Sequence, residues 1–147
     1  MRLITGIAIL TLACFAAADQ SVYTTKLENG WQSWSWAKTG MAGKTISVKS
    51  KAWQAAWFHH GAQKASAYSA IVFSVKSDTP GAEVQVMVTA DGKAQKGEYV
   101  FKLPKTLTKI TVPMSTFGLG SKSFDGFWLQ ARADVRYALY NVSLKSK

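Results

Sequence analysis

Apolar and polar residues alternate at every second position over most of this chain, a pattern typical of strands that bury one face. In 69–76, for example, Ile71, Phe73 and Val75 would share one face of a strand. Turn residues such as Asp91-Gly92 separate the alternating segments at short intervals. Apolar residues at helical spacing are almost absent. The sequence therefore predicts an all-β fold and argues against an α/β fold.

Six segments show the strand pattern most clearly, and four show it more weakly. The clear segments are 69–76, 84–90, 98–103, 107–112, 124–132 and 137–144, and the weaker ones are 22–27, 32–37, 45–49 and 56–60. Eight to ten short strands separated by turns favour an antiparallel two-sheet β-sandwich of the jelly-roll type. A closed barrel is the alternative.

The N-terminus has the order of a secretory signal peptide. Arg2 precedes a short apolar run, which ends at the small residues 16–18 and the polar pair Asp19-Gln20. The run is shorter than the roughly 20 residues of a stable membrane span. We predict a signal peptide at 1–18, one domain at 19–147, and a secreted or cell-wall-associated protein. The sole cysteine, Cys14, would leave with the signal, so no disulfide is expected.

The chain is basic, with 18 Lys and Arg against 8 Asp and Glu and a net charge of +10. Its lysines are scattered singly, which is typical of a solvated surface. The alternative is attraction to an anionic partner such as an acidic polysaccharide, a cell wall or a membrane surface. No concentrated basic stripe suggests nucleic acid. The oligomeric state stays open.

Catalytic machinery is hard to assemble from these residues. Glycoside hydrolysis needs two facing carboxylates, and most acids here sit beside turn residues. The two histidines, His59 and His60, would point to opposite faces of a strand, which weakens a triad or a metal site. A copper-dependent polysaccharide monooxygenase would need an N-terminal histidine, whereas the predicted mature chain begins at Ala18 or Asp19. We expect no enzyme and no cofactor.

Six tryptophans are the unusual feature of the sequence. On period-2 spacing, Trp34 and Trp36 share a face with Gln32, and Trp57 shares one with His59. In 127–132, Phe127 belongs to an apolar face, and the opposite face is mixed. That mixed face carries Trp128, Gln130 and Arg132.

Flat aromatic rings beside planar hydrogen-bonding groups suit a sugar, because the ring packs on the C–H face of a pyranose and the polar groups bind its hydroxyls. The Phe127 face is the better core candidate. Trp31 and Trp53 are expected in the core, and for Trp34 and Trp36 core and ligand contact are equally favoured. The predicted ligand-binding residues are Trp34, Trp36, Trp57, His59, Trp128, Gln130 and Arg132.

Three tryptophan-containing segments (29–36, 56–60 and 125–130), with the closing 140–144, resemble jelly-roll carbohydrate-binding modules of secreted microbial proteins. The resemblance runs in order through almost the whole mature chain. It implies a β-sandwich that binds polysaccharide on the concave face of one sheet. Many such modules hold a structural calcium ion, but the sparse acids of this chain do not indicate one.

The sequence thus predicts a secreted, non-catalytic protein that binds a polysaccharide or other glycan, neutral or acidic. The alternative is a basic structural or interaction protein of the cell envelope without specific sugar recognition. Asn141-Val142-Ser143 is also a glycosylation sequon, whose strand context would make it less accessible.

Overall fold

Two antiparallel β-sheets form the fold of residues 18–147, the part of the chain that a computed structural model describes. The predicted signal peptide lies outside the described residues, apart from Ala18. No helix in 18–147 is long and apolar enough to cross a membrane. The strands of this part are β1 (Gln20–Tyr23), β2 (Gln32–Ser33), β3 (Lys38–Ala42), β4 (Thr45–Ser50), β5 (Ala55–Lys64), β6 (Tyr68–Ser77), β7 (Glu83–Ala90), β8 (Lys93–Ala94), β9 (Tyr99–Lys102), β10 (Thr108–Pro113), β11 (Ser123–Ala131) and β12 (Val135–Ser146), with 3₁₀ turns at Ala65–Ala67 and Met114–Phe117.

The first sheet, sheet A, has the order β10-β6-β12-β4-β3. Its long strand β12 pairs with β6 on one side and with β4 and then β1 on the other. The start of β1 is fixed by Asp19, whose carboxylate accepts hydrogen bonds from the backbone N–H and hydroxyl of Ser146. These two bonds hold the pKa of Asp19 below its ordinary value.

The second sheet, sheet B, has the order β2-β5-β11-β7-β8, and β9 also pairs with β7. All strand pairs in both sheets are antiparallel. Two separate sheets with this pairing confirm the predicted β-sandwich and set the closed barrel aside.

The core lies between the two sheets and follows the predicted alternation. Phe58 on β5 and Phe127 on β11 pair across the strands, with ring centroids 5.3 Å apart. Both are almost fully buried, so the Phe127 face is the core face, as predicted. Trp31 is buried as expected and packs its ring 5.6 Å from that of Phe127.

The strand predicted at 32–37 ends at Ser33, because a side chain replaces the backbone there. The Ser35 hydroxyl accepts the backbone N–H of Trp57 at 2.9 Å, a bond that a carbonyl would accept in a regular ladder. The chain then turns into β3, a strand the sequence does not predict. Asn141 lies at an irregularity in β12 with a φ of 50° and is exposed, contrary to the expectation of poor accessibility.

Gly126 on β11 lies directly against the backbone of β5. A Cβ there would collide with the carbonyl oxygen of Phe58 and lie 3.1 Å from Nε1 of Trp57. The indole of Trp57 therefore reaches across β11 at the one position that has no side chain. Gly126 is required by packing and not by its backbone conformation, since its φ is not in the left-handed region.

Gly126→Ala should lower the free energy of unfolding by roughly 1–3 kcal/mol, the usual cost of inserting a methyl group into a filled site. Gly61→Ala is the matched control on β5, because a Cβ at Gly61 would meet no atom of the described residues within 4 Å. Urea unfolding of both variants measures the difference. Equal stability of the two would mean that the close approach of β5 and β11 is wrong.

Candidate functional site

The outer face of sheet B, the face turned away from the core, brings the predicted site residues together. Trp57 on β5 lies opposite Trp128 on β11, which lies opposite Met87 on β7. Gln130 follows in the next row, opposite Gln85. Trp34 and Trp36 join the same face from the segment after β2, whose backbone N–H groups donate to β5 carbonyls at 2.8 and 3.1 Å.

Perpendicular indole rings form the inner layer of this face. The Trp57 and Trp128 centroids are 5.4 Å apart at 88°, and Trp36 stands at 89° to both. Edge-to-face packing of this kind is the favourable arrangement of aromatic quadrupoles. The indole N–H groups of Trp57 and Trp128 are buried and have no hydrogen-bond partner within 18–147.

His59 supports one end of the cluster. Its ring is stacked under Trp34, with centroids 3.4 Å apart and planes 8° from parallel. Its Nε2 lies 3.7 Å from Oδ2 of Asp125. That carboxylate is itself held by the Thr89 hydroxyl at 2.7 Å and the Gly92 backbone N–H at 2.9 Å. His60 lies on the other face against Trp31, so the two histidines diverge as predicted.

Three tryptophans here are exposed, and we call them the tryptophan platform: Trp34 and Trp36 on the outer face, exposed by 46% and 42%, and Trp53, exposed by 58%, whose backbone carbonyl bonds Trp36. The expectation that Trp53 is in the core is wrong. Trp57 and Trp128, favoured by the sequence as ligand contacts, are half-buried beneath the platform. The surface open to a ligand is therefore the platform, and the inner layer supports it.

Trp53 occupies an unusual backbone conformation. Its φ is 68°, in the left-handed region that bulky residues rarely adopt. The three other positive-φ residues that are not glycine, within 18–147, are Asn or Asp, which tolerate this region. The strained turn directs the Trp53 carbonyl to Nε1 of Trp36 at 3.2 Å and Nε2 of Gln130 at 2.9 Å. The strain thus anchors one end of the platform.

A chain of polar groups runs beside the indoles. Arg132 donates to Gln85 at 3.1 Å, and Gln85 donates to Gln130 at 2.7 Å. The remaining guanidinium nitrogens of Arg132 bind Glu83 at 2.9 Å and Glu98 at 3.0 Å. Arg132 is on the predicted face, but its donors are engaged by protein groups. Gln130 is fixed between Gln85 and the Trp53 carbonyl.

Sequence reasoning missed Trp53, Gln85, Glu83 and Glu98. Glu83 and Gln85 lie on β7, which β11 meets only in the folded sheet, and Glu98 precedes β9, which pairs with β7, so no spacing along the chain links them to Arg132. For Trp53 the segment around it contains no Gly, Asn or Asp that would indicate a left-handed turn. Gln32 was placed on this face by its spacing, and its amide oxygen accepts the indole N–H of Trp34 at 3.1 Å.

No group of three or more His, Cys, Asp or Glu side chains within 18–147 could hold a metal ion. Three acids that contact residues of this face are engaged: Glu83 and Glu98 by Arg132, and Asp125 by Thr89 and the Gly92 amide. The face therefore offers a ligand aromatic rings and amides.

The fold is similar to solved structures of family 29 carbohydrate-binding modules. A variant of one such module has a TM-score of 0.70 at 14% identity, over 88% of this chain and 92% of its own. A variant complexed with mannohexaose has a TM-score of 0.70 at 14% identity (86% and 90% covered), and one complexed with cellulohexaose 0.69 at 12% (86% and 89%). No family model and no curated protein sequence matches. The resemblance to jelly-roll carbohydrate-binding modules is thus confirmed for the fold.

Replacing Trp53 should separate strain from ring loss. Trp53→Gly removes both the indole and the left-handed strain, whereas Trp53→Ala keeps a Cβ in the strained conformation. We expect the Gly variant to be more stable than the Ala variant by about 1 kcal/mol, measured by urea unfolding. The reverse order of stability would show that residue 53 is not in the left-handed region.

Proposed function

We propose that this chain is a secreted, non-catalytic carbohydrate-binding protein whose site is the outer face of sheet B. The observation that carries the proposal is the tryptophan platform. Trp34 and Trp36 remain 46% and 42% exposed on this face, and Trp53, 58% exposed, is joined to it through its backbone carbonyl. Exposed apolar side chains that cluster on a surface mark an interaction site.

The platform suits a sugar chain for two physical reasons. An indole face packs against the C–H face of a pyranose ring and removes apolar area from water. The rings are also fixed before a ligand arrives, because Trp34 is backed by His59 and Trp36 by Trp57 and Trp128. Little ordering entropy is then lost on binding.

Amide groups at the edges of the platform supply polar contacts. Gln32 lies beside Trp34, and Gln130 lies beside Trp53. The Gln130 oxygen accepts one hydrogen bond and has a second lone pair, and the Gln130 amide nitrogen has a second N–H that can donate to a sugar hydroxyl. Because the structural neighbours are complexed with mannohexaose and cellulohexaose, we propose a neutral hexose polymer as the ligand of this face.

The way the carboxylates are used supports the proposed absence of catalysis. Glu83 and Glu98 converge on the same guanidinium, and their side chains are 43% and 47% exposed. A glycosidase pair instead flanks the scissile bond, roughly 5–10 Å apart with the substrate between. Here Arg132 occupies the space between the two acids. We therefore assign them to holding Arg132 and not to acid–base chemistry.

Single truncations of the platform test the site. Trp34→Ala, Trp36→Ala and Trp53→Ala should each weaken binding of mannohexaose or cellulohexaose by at least about tenfold, measured by isothermal titration calorimetry, because buried aromatic anchors dominate binding energy. Leu107→Ala is the matched control, since Leu107 is 57% exposed and lies before β10 of sheet A. It should leave the affinity unchanged.

Trp57→Ala and Trp128→Ala probe the inner layer. Both should weaken binding indirectly, because the platform rings lose their supports. If all five variants bound either hexasaccharide as the wild type does, the site would be misassigned. If the wild type bound no insoluble or soluble neutral polysaccharide in a broad panel, the proposed function itself would be wrong.

Ionic strength separates sugar binding from the alternative of a basic envelope protein without sugar recognition. Stacking on the platform should persist from about 0.05 to 1 M salt, where the Debye length falls to about 3 Å. Binding held by net charge alone should collapse over the same range. Affinity for a neutral hexasaccharide that falls tenfold or more with salt would favour the alternative.

A further inference from the structure

A second surface lies on the outer face of sheet A, on the opposite side of the sandwich from the platform. It is a cleft of about 610 Å³, a volume in the range of ligand sites. Its floor is one row of small residues across three strands: Gly40 on β3, Ser47 on β4 and Ala138 on β12. Because these side chains are short, the row forms a trough between taller neighbours. We call this surface the basic cleft.

One wall of the basic cleft is a row of three cations. Lys38 lies opposite Lys49, and Lys49 lies opposite Arg136, on three adjacent strands. Like charges directly opposite one another destabilise an antiparallel sheet. The arrangement therefore costs stability, and no ion pair within 18–147 offsets it.

Two further lysines close the cleft. Lys76 on β6 lies opposite Ala138, and its Nζ is held 5.7 Å from the centre of the Tyr140 ring. Lys105 lines the cleft from the loop after β9. None of the five cations forms an ion pair within the described residues, although Asp78 also lines the cleft. On sheet B, by contrast, Arg132 is paired with two glutamates.

We propose that the basic cleft binds an acidic polysaccharide, a chain of uronic acid units whose carboxylates lie against Lys38, Lys49 and Arg136. These cations recur at the interstrand spacing of about 4.8 Å, so a polymer with one carboxylate per sugar ring can meet them in succession. The rings of the chain would lie over the row of small residues. This site is separate from the proposed neutral-sugar site on sheet B.

The lining favours a glycan over the other polyanions. Bases of single-stranded nucleic acid stack on exposed aromatic rings, but the lining aromatic residue, Tyr137, is buried. Membrane-binding surfaces insert large apolar side chains into the lipid interface. The exposed large apolar side chains within 18–147 are Trp34, Trp36, Met41, Trp53, Val100 and Leu107, and none of them lines the cleft.

The test compares polygalacturonate with the same polymer fully methyl-esterified, which keeps the sugar chain but removes its charge. The cleft variant Lys38→Ser/Lys49→Ser/Arg136→Ser should bind polygalacturonate roughly tenfold more weakly than the wild type at low salt, because three exposed ion pairs are lost. Its unfolding temperature should be unchanged or higher, since the repulsion within the row is relieved. The wild type and the cleft variant should bind the esterified polymer with equal affinity.

A second triple variant that removes the same number of charges distinguishes a defined binding site from attraction by the net charge of the protein. Lys26→Ser/Lys96→Ser/Lys122→Ser removes the same three charges from exposed positions outside the cleft and should weaken binding by less than about threefold. Equal losses in the two triple variants would overturn the proposal. So would tighter binding of anionic lipid vesicles or single-stranded DNA than of polygalacturonate, with the same loss in the cleft variant.

The platform variants make the two sites distinguishable. Trp34→Ala and Trp36→Ala should bind polygalacturonate as the wild type does, because the platform and the cleft are on opposite faces. The cleft variant should in turn keep its affinity for the neutral hexasaccharides. Loss of both ligands in either variant would contradict separate sites.

Discussion

The register between β5 and β11 determines which aromatic rings are buried and which are presented. Phe58 pairs with Phe127 on the core face, and one residue earlier on β5 Trp57 pairs with Trp128 on the outer face. Side chains alternate with a period of two, so a slip of one residue would exchange the two sets completely. The phenylalanine pair makes that slip costly, because its burial is lost if the register changes. The geometry of the site is therefore maintained by the core on the other side of the same strands.

The two tryptophan layers have different physical roles. The inner layer is half-buried and rigid, since each ring of the Trp57–Trp128 pair is held edge-on by its neighbours. The outer layer leaves a large apolar area in water, which gives no benefit to a protein with nothing bound. The strained turn at Trp53 is a second cost at the same place. Both costs fall on one surface, although polar residues and a glycine there would avoid them. Selection for ligand binding would explain why the chain keeps both.

Alternation along the chain was sufficient to predict the sandwich, the core face of β11 and the divergence of His59 and His60. Burial within the aromatic cluster was not predictable, because period-2 spacing assigns Trp34, Trp36, Trp57 and Trp128 to a face but not to a depth on it. Depth depends on how the segment after β2 runs along β5, where the Ser35 hydroxyl replaces a backbone acceptor of the ladder. The sequence also did not predict the row of Lys38, Lys49 and Arg136. These residues are brought side by side only by the register of three strands. Scattered lysines along a chain are therefore compatible with a concentrated charge on its surface.

The two outer faces differ in whether their cations are paired with acids. On sheet B the cation Arg132 is neutralised by Glu83 and Glu98, and His59 lies beside Asp125. That face presents rings and amides, the chemistry of an uncharged sugar. On sheet A five cations and a single acid line the trough. None of the five cations forms an ion pair within the described residues. Because the core separates the faces, a charge on one is distant from the other, so the two proposed sites would not interfere electrostatically. The two sites we propose therefore lie on opposite faces, one beside the long strand β12 and the other on the β5–β11 pair.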